Sequence, residues 1–184
     1  MLQMKWLTLA VVAVAGAGCT SSHGQIYRSS DWKGGESLGK VLLIVPKLRT
    51  ESGEEEPQRD QKIRIAIRSS LEQMRGTTVI DGDARGPISE AQAIAAGVKQ
   101  GAQSVCLVTM GQFGGRYLLT ALPPGWDSRT TVQYAVRVID VKSGAVLVDS
   151  VRERSSGGYL AIMTAATYPT DLKNDLACVL SSQP

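Results

Sequence analysis

Two kinds of spacing carry the apolar positions of this chain, and they alternate along it. KVLLIVPKL (40–48) is a continuous apolar run, the pattern of a strand buried on both faces of a sheet. Ile63, Ile67, Leu71 and Met74 then recur at helical spacing, which predicts a helix over 60–75 with Asp60 as its cap and Gly76 as its stop. Arg64, Arg68, Glu72 and Arg75 fall outside that stripe. TTVID (77–81) is a short β-rich run, and GDARGP (82–87) is a turn cluster. Ser89, with Gln92 three positions on, caps a second helix running to Gly101. Its apolar face is predicted as Ile94, Ala95, Val98 and Ala102, and the small residues Ala91, Ala95, Ala96 and Gly97 would let it pack close to a sheet. QSVCLVTM (103–110) is a second buried strand.

The region 130–154 reads as a hairpin. Val132, Tyr134, Val136 and Val138 alternate with Gln133, Ala135, Arg137 and Ile139, Lys142-Ser143-Gly144 supply the turn, and Ala145 to Arg152 return. Thr170 then caps a last helix over 170–182, with Leu172, Leu176, Val179 and Leu180 as its apolar face. The predicted order is β-α-β-α-β-loop-β-β-α. That is an α/β (α+β) domain with a mixed sheet and helices mainly on one face.

Residues 111–129, GQFGGRYLLTALPPGWDSR, interrupt the periodicity. Their glycines and prolines predict a long loop rather than a regular element, yet the segment is strongly apolar. Aromatic residues and arginine are enriched where proteins dock on one another. Phe113, Arg116, Tyr117, Trp126 and Arg129 are therefore the candidate partner-binding residues. The competing reading is that this loop folds over an open sheet face and completes the core.

The first residues change the picture most. Lys5 precedes an apolar run from Trp6 to Ala15, and Gly16, Ala17 and Gly18 lead to Cys19. This charged, apolar, small order is that of a secretory signal peptide, predicted over 1–18. The apolar run is too short for a spanning helix, which needs about 20 residues. GAGC resembles the lipobox of bacterial lipoproteins, with Gly16 where Leu or Val is usual. That resemblance implies diacylglycerol on Cys19, cleavage before it, and three acyl chains that hold the protein on a membrane. Thr20, rather than Asp, after the cysteine implies sorting to the outer membrane, with the domain facing the periplasm. Residues 19–39 are rich in Ser and Gly and read as a flexible tether with a reach of roughly 65 Å when extended. Ile26, Tyr27 and Trp32 are apolar exceptions expected to dock on the domain or on a partner. Residues 40–184 form the single predicted domain.

Charge and chemistry mainly exclude. The chain has 20 Lys and Arg against 17 Asp and Glu, and loss of Lys5 with the signal lowers the formal charge from +3 to +2. Mixed, near-neutral charge argues against nucleic acid as a partner. The single histidine, His23, lies in the predicted tether, so no Ser-His or Cys-His couple forms inside the domain. No metal site, cofactor or small-molecule substrate is indicated. Asp81 with Asp83, and Asp149 with Glu153, are acidic pairs whose ordinary roles are turns and surface charge. Cys106 and Cys178 could form a disulfide in an oxidising periplasm, or be small buried apolar residues.

The order of these strings is similar to that of a group of periplasmic α/β domains. The group includes the TolB N-terminal domain, the curli secretion lipoprotein CsgG and the penicillin-binding-protein activator LpoB. The strings concerned are KVLLIVP, SLEQMRGTTVID, AIAAGVKQGAQSVCLVTM and RVIDVKSGAVLVDS. LPPGWDSR, and YPTDL at 168–172, further resemble a family of proteobacterial lipoproteins defined only as a domain of unknown function. The resemblance covers roughly 38–182. It implies a binding or accessory module of the envelope rather than an enzyme, with the cell-wall synthesis machinery as one candidate partner. The alternative is a subunit of a homo-oligomeric envelope or secretion assembly.

Overall fold

The computed structural model describes residues 19–30, 32, 34, 37–45, 57–83, 88–121, 124–159 and 168–180. The predicted signal peptide, 1–18, lies outside them. In chain order the elements are β1 (Cys19–Arg28), β2 (Lys40–Ile44), α1 (Pro57–Glu72), β3 (Thr78–Gly82), α2 (Glu90–Gln100), β4 (Ser104–Ala121), β5 (Pro124–Asp140), β6 (Val146–Tyr159) and α3 (Tyr168–Leu180). The six strands form one mixed sheet, in the order β1-β6-β5-β4-β2-β3. β2 is parallel to β3 and to β4, and the remaining pairs are antiparallel.

The expected α/β class, mixed sheet and distribution of helices all hold. α1 and α3 cover one face, where Ile63, Ile67, Leu71 and Met74 of the first helix and Leu172, Leu176, Val179 and Leu180 of the last are buried with Val41, Leu43, Cys106, Val136 and Val148. α2 lies on the other face over Leu42, Ile44, Val105 and Leu107. Leu42 and Leu43 thus enter opposite cores, which is why β2 is apolar at every position. Ser70 hydroxyl ties the two helices on the first face, donating to the Lys173 carbonyl at 3.3 Å and to the Ala66 carbonyl of its own helix at 3.0 Å.

Two predicted caps fall inside helices. α1 begins at Pro57 rather than at Asp60, and α3 begins at Tyr168, ahead of Thr170. In both cases a proline read as loop occupies the first turn, where its missing N–H has no intrahelical acceptor to serve. At α2 the predicted capping box is present: Ser89 Oγ accepts from the Gln92 amide, and the Gln92 side chain accepts from the Ser89 amide. The buried face of α2 differs from expectation, however. It is formed by Ala93 and Gly97, while Val98 is 64 % exposed. A Cβ at Gly97 would stand 2.7 Å from a Val105 methyl and 2.8 Å from a Val141 methyl. The helix therefore meets the sheet along its smallest side chains, because close approach buries more backbone and strand surface than a larger contact residue would permit.

Two segments expected to be irregular are strands. Residues 111–129 extend β4 and β5 into one long hairpin, from Ser104↔Asp140 to Ala121↔Pro124. A register shift between Met110 and Phe113 takes up Gly111 and Gln112, so GQFGG is a bulge within a strand and not a turn after one. The first ten residues of the expected tether form β1, which pairs antiparallel with β6 along its whole length, from Cys19↔Gly157 to Arg28↔Val148. Gly24 makes this possible. Its φ is +157°, and a Cβ there would fall 2.2 Å from the Val151 carbonyl oxygen. Of the three apolar exceptions in this region, Trp32 is buried in the first core and Ile26 packs against it, whereas Tyr27 is exposed.

Substitutions in α2 test the observed face. Gly97→Val is expected to lower the unfolding free energy by about 1–3 kcal/mol through overpacking against Val105 and Val141. Val98→Ala should change it by no more than about 0.5 kcal/mol. Urea denaturation of both variants checks this, and the reverse ranking would restore the face expected from periodicity.

Candidate functional site

The candidate residues meet on the distal half of the β4–β5 hairpin. Arg116 pairs with Arg129, Tyr117 with Ser128, Leu118 with Asp127 and Leu119 with Trp126. Phe113 pairs with Val132 nearer the base. The backbone register thus gathers all five predicted residues onto one hairpin. Leu119, which was not among them, is 90 % exposed.

This half of the hairpin outruns the helices beside it. Asp175 of α3 lies at the level of Tyr134, and from Asp175 back to Tyr168 the helix can rise only about 10 Å. From Tyr134 to Pro124 the strand travels about 34 Å. The distal pairs consequently stand some 20 Å beyond the reach of α3, as an arm of the sheet.

The arm is held at its base by a buried polar cluster that sequence reasoning did not single out. Asp175 accepts hydrogen bonds from the Tyr134 hydroxyl, from Arg152 Nη2 at 2.6 Å and Nε at 3.2 Å, and from Ser22 Oγ at 3.2 Å. Arg152 Nη2 also donates to Ser22 Oγ at 2.9 Å. One carboxylate therefore joins β1, β5, β6 and α3. Burial pushes the Asp175 pKa up, but the hydrogen bonds from Arg152 and Tyr134 outweigh it and hold the carboxyl below its usual range. Burial, then the bond to Asp175, pushes the Tyr134 phenol up, so it remains protonated and serves as a donor. Arg28 seals the far end of α3, donating to the Cys178 carbonyl at 3.0 Å and the Val179 carbonyl at 3.2 Å. Spacing alone could not have found this cluster, whose members come from four elements.

The acidic pairs are tied to neighbours rather than to each other. Asp81 pairs with Arg68 at 2.7 Å, Asp149 with Arg137, and Glu153 accepts from Gln133 at 2.9 Å. Arg137 also pairs with Glu90 of α2, which fastens that helix to the sheet. Among the described residues no three His, Cys, Asp or Glu side chains gather into a metal-binding group. No disulfide joins Cys106 to Cys178: the first is buried in the core behind α3, and the second is exposed on that helix. Desolvation pushes the Cys106 thiol up to about 12, which removes its nucleophilic form at neutral pH. His23, on β1, pairs across to Glu153 at the sheet edge. At the opposite end of the sheet from the arm is an open concavity of about 420 Å³, bordered by Trp32, Ser37, Gln103, Ser104 and Asp140. Among the described residues no helix is long and apolar enough to cross a membrane.

No protein-family model and no curated protein sequence matches the chain. Solved structures do. A PelC dodecamer from Paraburkholderia phytofirmans superposes with a TM-score of 0.50 at 16 % identity, over 91 % of this chain and 100 % of that one. The lipoprotein GNA1162 from Neisseria meningitidis follows at 0.42 and 16 % identity, over 76 % and 99 % of the two chains. The LpoB C-terminal domain from Salmonella enterica gives 0.41 at 14 % identity, over 67 % and 84 %. At these identities the likeness is one of fold, and it is carried by PelC. The resemblance drawn from sequence strings thus reaches a fold and no sequence family.

Two outcomes are expected at the cluster. Asp175→Asn leaves the Arg152 guanidinium buried without its counter-charge and should cost about 3–5 kcal/mol in chemical denaturation. The folded-state pKa of Asp175 is lowered, so its contribution is complete above the unfolded value near 3.9 and is lost as pH falls through the lower folded value. The unfolding free energy of Asp175→Asn should therefore decline less than that of the parent chain below about pH 4. An equally steep acid limb would show that other carboxylates govern it.

Proposed function

We propose that this chain is a lipid-anchored, non-enzymatic accessory module of the cell envelope, processed before Cys19, sorted to the outer membrane and docking through the projecting β4–β5 arm. The observation that carries the reading is the arm itself. The hairpin stays paired some 20 Å beyond the reach of α3, and Leu119 on it is 90 % exposed, as suits a docking element. The chemistry argues in the same direction: Asp81, Glu90, Asp149 and Asp175 are engaged by arginine, with tyrosine and serine also on Asp175, and the buried thiol is held neutral. Cell-wall synthesis machinery stands as a candidate partner through the sequence resemblance to LpoB.

A second reading, a subunit of a homo-oligomeric assembly, is favoured by one observation. A solved structure that shares the fold over its whole length is described as a dodecamer.

Photo-crosslinking in cells, with the probe replacing Trp126 and then Tyr117, separates the two. A discrete band containing a second protein is expected for the docking module. A ladder of self-crosslinked species would support the oligomer, and no band at either position would sink the arm as a protein-docking element. Cys19→Ala is expected to move the protein from the membrane fraction to the soluble periplasmic fraction. Retention in the outer membrane would refute the lipid anchor.

A further inference from the structure

The arm has a direction relative to the anchor, and the register of the sheet gives it. Cys19 pairs with Gly157, Gly157 with Arg129, and Arg129 with Arg116. The residue proposed to carry lipid and the two arginines of the arm therefore lie in a single row across four strands. β4 and β6 run towards that row and past it, and β1 starts on it. Beyond the row lie Tyr117 to Ala121, Pro124 to Ser128, and Gly158 with Tyr159. Asp127 is the only charged residue among these twelve. Ala121 and Pro124, the last pair, stand five residues past the Cys19 row, about 17 Å at strand rise.

Cys19 is itself paired, with Gly157, so no spacer separates it from the sheet. A lipid on that thiol holds the end of the sheet within a side chain's length of the bilayer, and whatever projects past the row in the same direction meets the bilayer too.

From this we infer that the occupant of the arm's tip is the lipid surface in which Cys19 is anchored, with the tip segments 117–121 and 124–128 at the interface and the row that carries Arg116 and Arg129 at the level of the phosphates. The inference rests on the lipid-anchor reading and names the partner of the same arm. Tyrosine and tryptophan favour the boundary between headgroups and acyl chains, and arginine pairs with phosphate at its outer edge. A leucine between them is suited to the shallow acyl region, which amphipathic elements enter by about 5–10 Å. The open concavity and the Lys142 turn lie at the opposite end of the strands, facing away from the membrane.

The test uses the full lipidated chain reconstituted in phosphatidylethanolamine–phosphatidylglycerol vesicles. A genetically encoded environment-sensitive fluorophore replaces Leu119 or, as the reference, Lys142, and lipids bearing a nitroxide near the headgroup act as quencher. The Leu119 probe is expected to be quenched at least threefold more than the Lys142 probe and to shift to the blue on vesicle addition. Equal, weak quenching at both positions, in protein that floats with the vesicles, would overturn the inference and leave the anchor and protein docking intact. Protein that fails to float and whose Cys19 is unmodified by mass would overturn the anchor, and this inference with it.

Discussion

A single carboxylate decides whether this fold holds together on its C-terminal side. Asp175 is buried, and burying a lone charge is expensive. It is stable there only because Arg152, Tyr134 and Ser22 converge on it, and these come from β6, β5 and β1. The apolar contacts of α3 are non-directional and would tolerate a slide along the sheet. The cluster does not, since a shift of one residue on any strand would turn its partner to the other face. The edge strand β1, the base of the hairpin arm and the position of α3 are all set by this one set of hydrogen bonds.

The other end of the sheet is governed by packing instead. β2 supplies Leu42 to one core and Leu43 to the other, and α2 approaches through Ala93 and Gly97. Arg137 links α2 to the antiparallel half by pairing with both Glu90 and Asp149. The molecule is thus a three-layer core at the parallel end, continued into a thin hairpin at the antiparallel end.

Much of this was legible in the chain, and the reasons for the gaps are physical. Ile63, Ile67, Leu71 and Met74, and likewise Leu172, Leu176, Val179 and Leu180, keep helical spacing because each faces one broad core, so periodicity found them. At α2 it succeeded in part: the close packing expected of Gly97 and the burial of Ala102 hold, but Ala93 makes the contact in place of Val98, because residues chosen for smallness leave no apolar stripe. It failed at residues 111–129 and at β1. There glycine and proline were read as breakers, although a bulge absorbs Gly111 and Gln112, and Gly24 lets the strand pass close beside the Val151 carbonyl. The five candidate residues were found by composition, and their pairing within one hairpin required the register. Asp175, Arg152, Tyr134 and Ser22 are unremarkable in sequence, because no local pattern records a meeting of four distant segments.

The position of β1 also imposes an order in time. Its only strand partner is β6, and its side chains bond to α3, so the residues synthesised first are held by those synthesised last. Contacts so far apart along the chain close late, after the intervening loop entropy has been met by other structure. Until residues 146–180 have arrived and folded, the stretch beginning at Cys19 has nothing to pair with. On the proposed reading of Cys19 as the lipidated residue, an enzyme that grips an extended peptide there has this interval in which to act, and the closing of the sheet ends it.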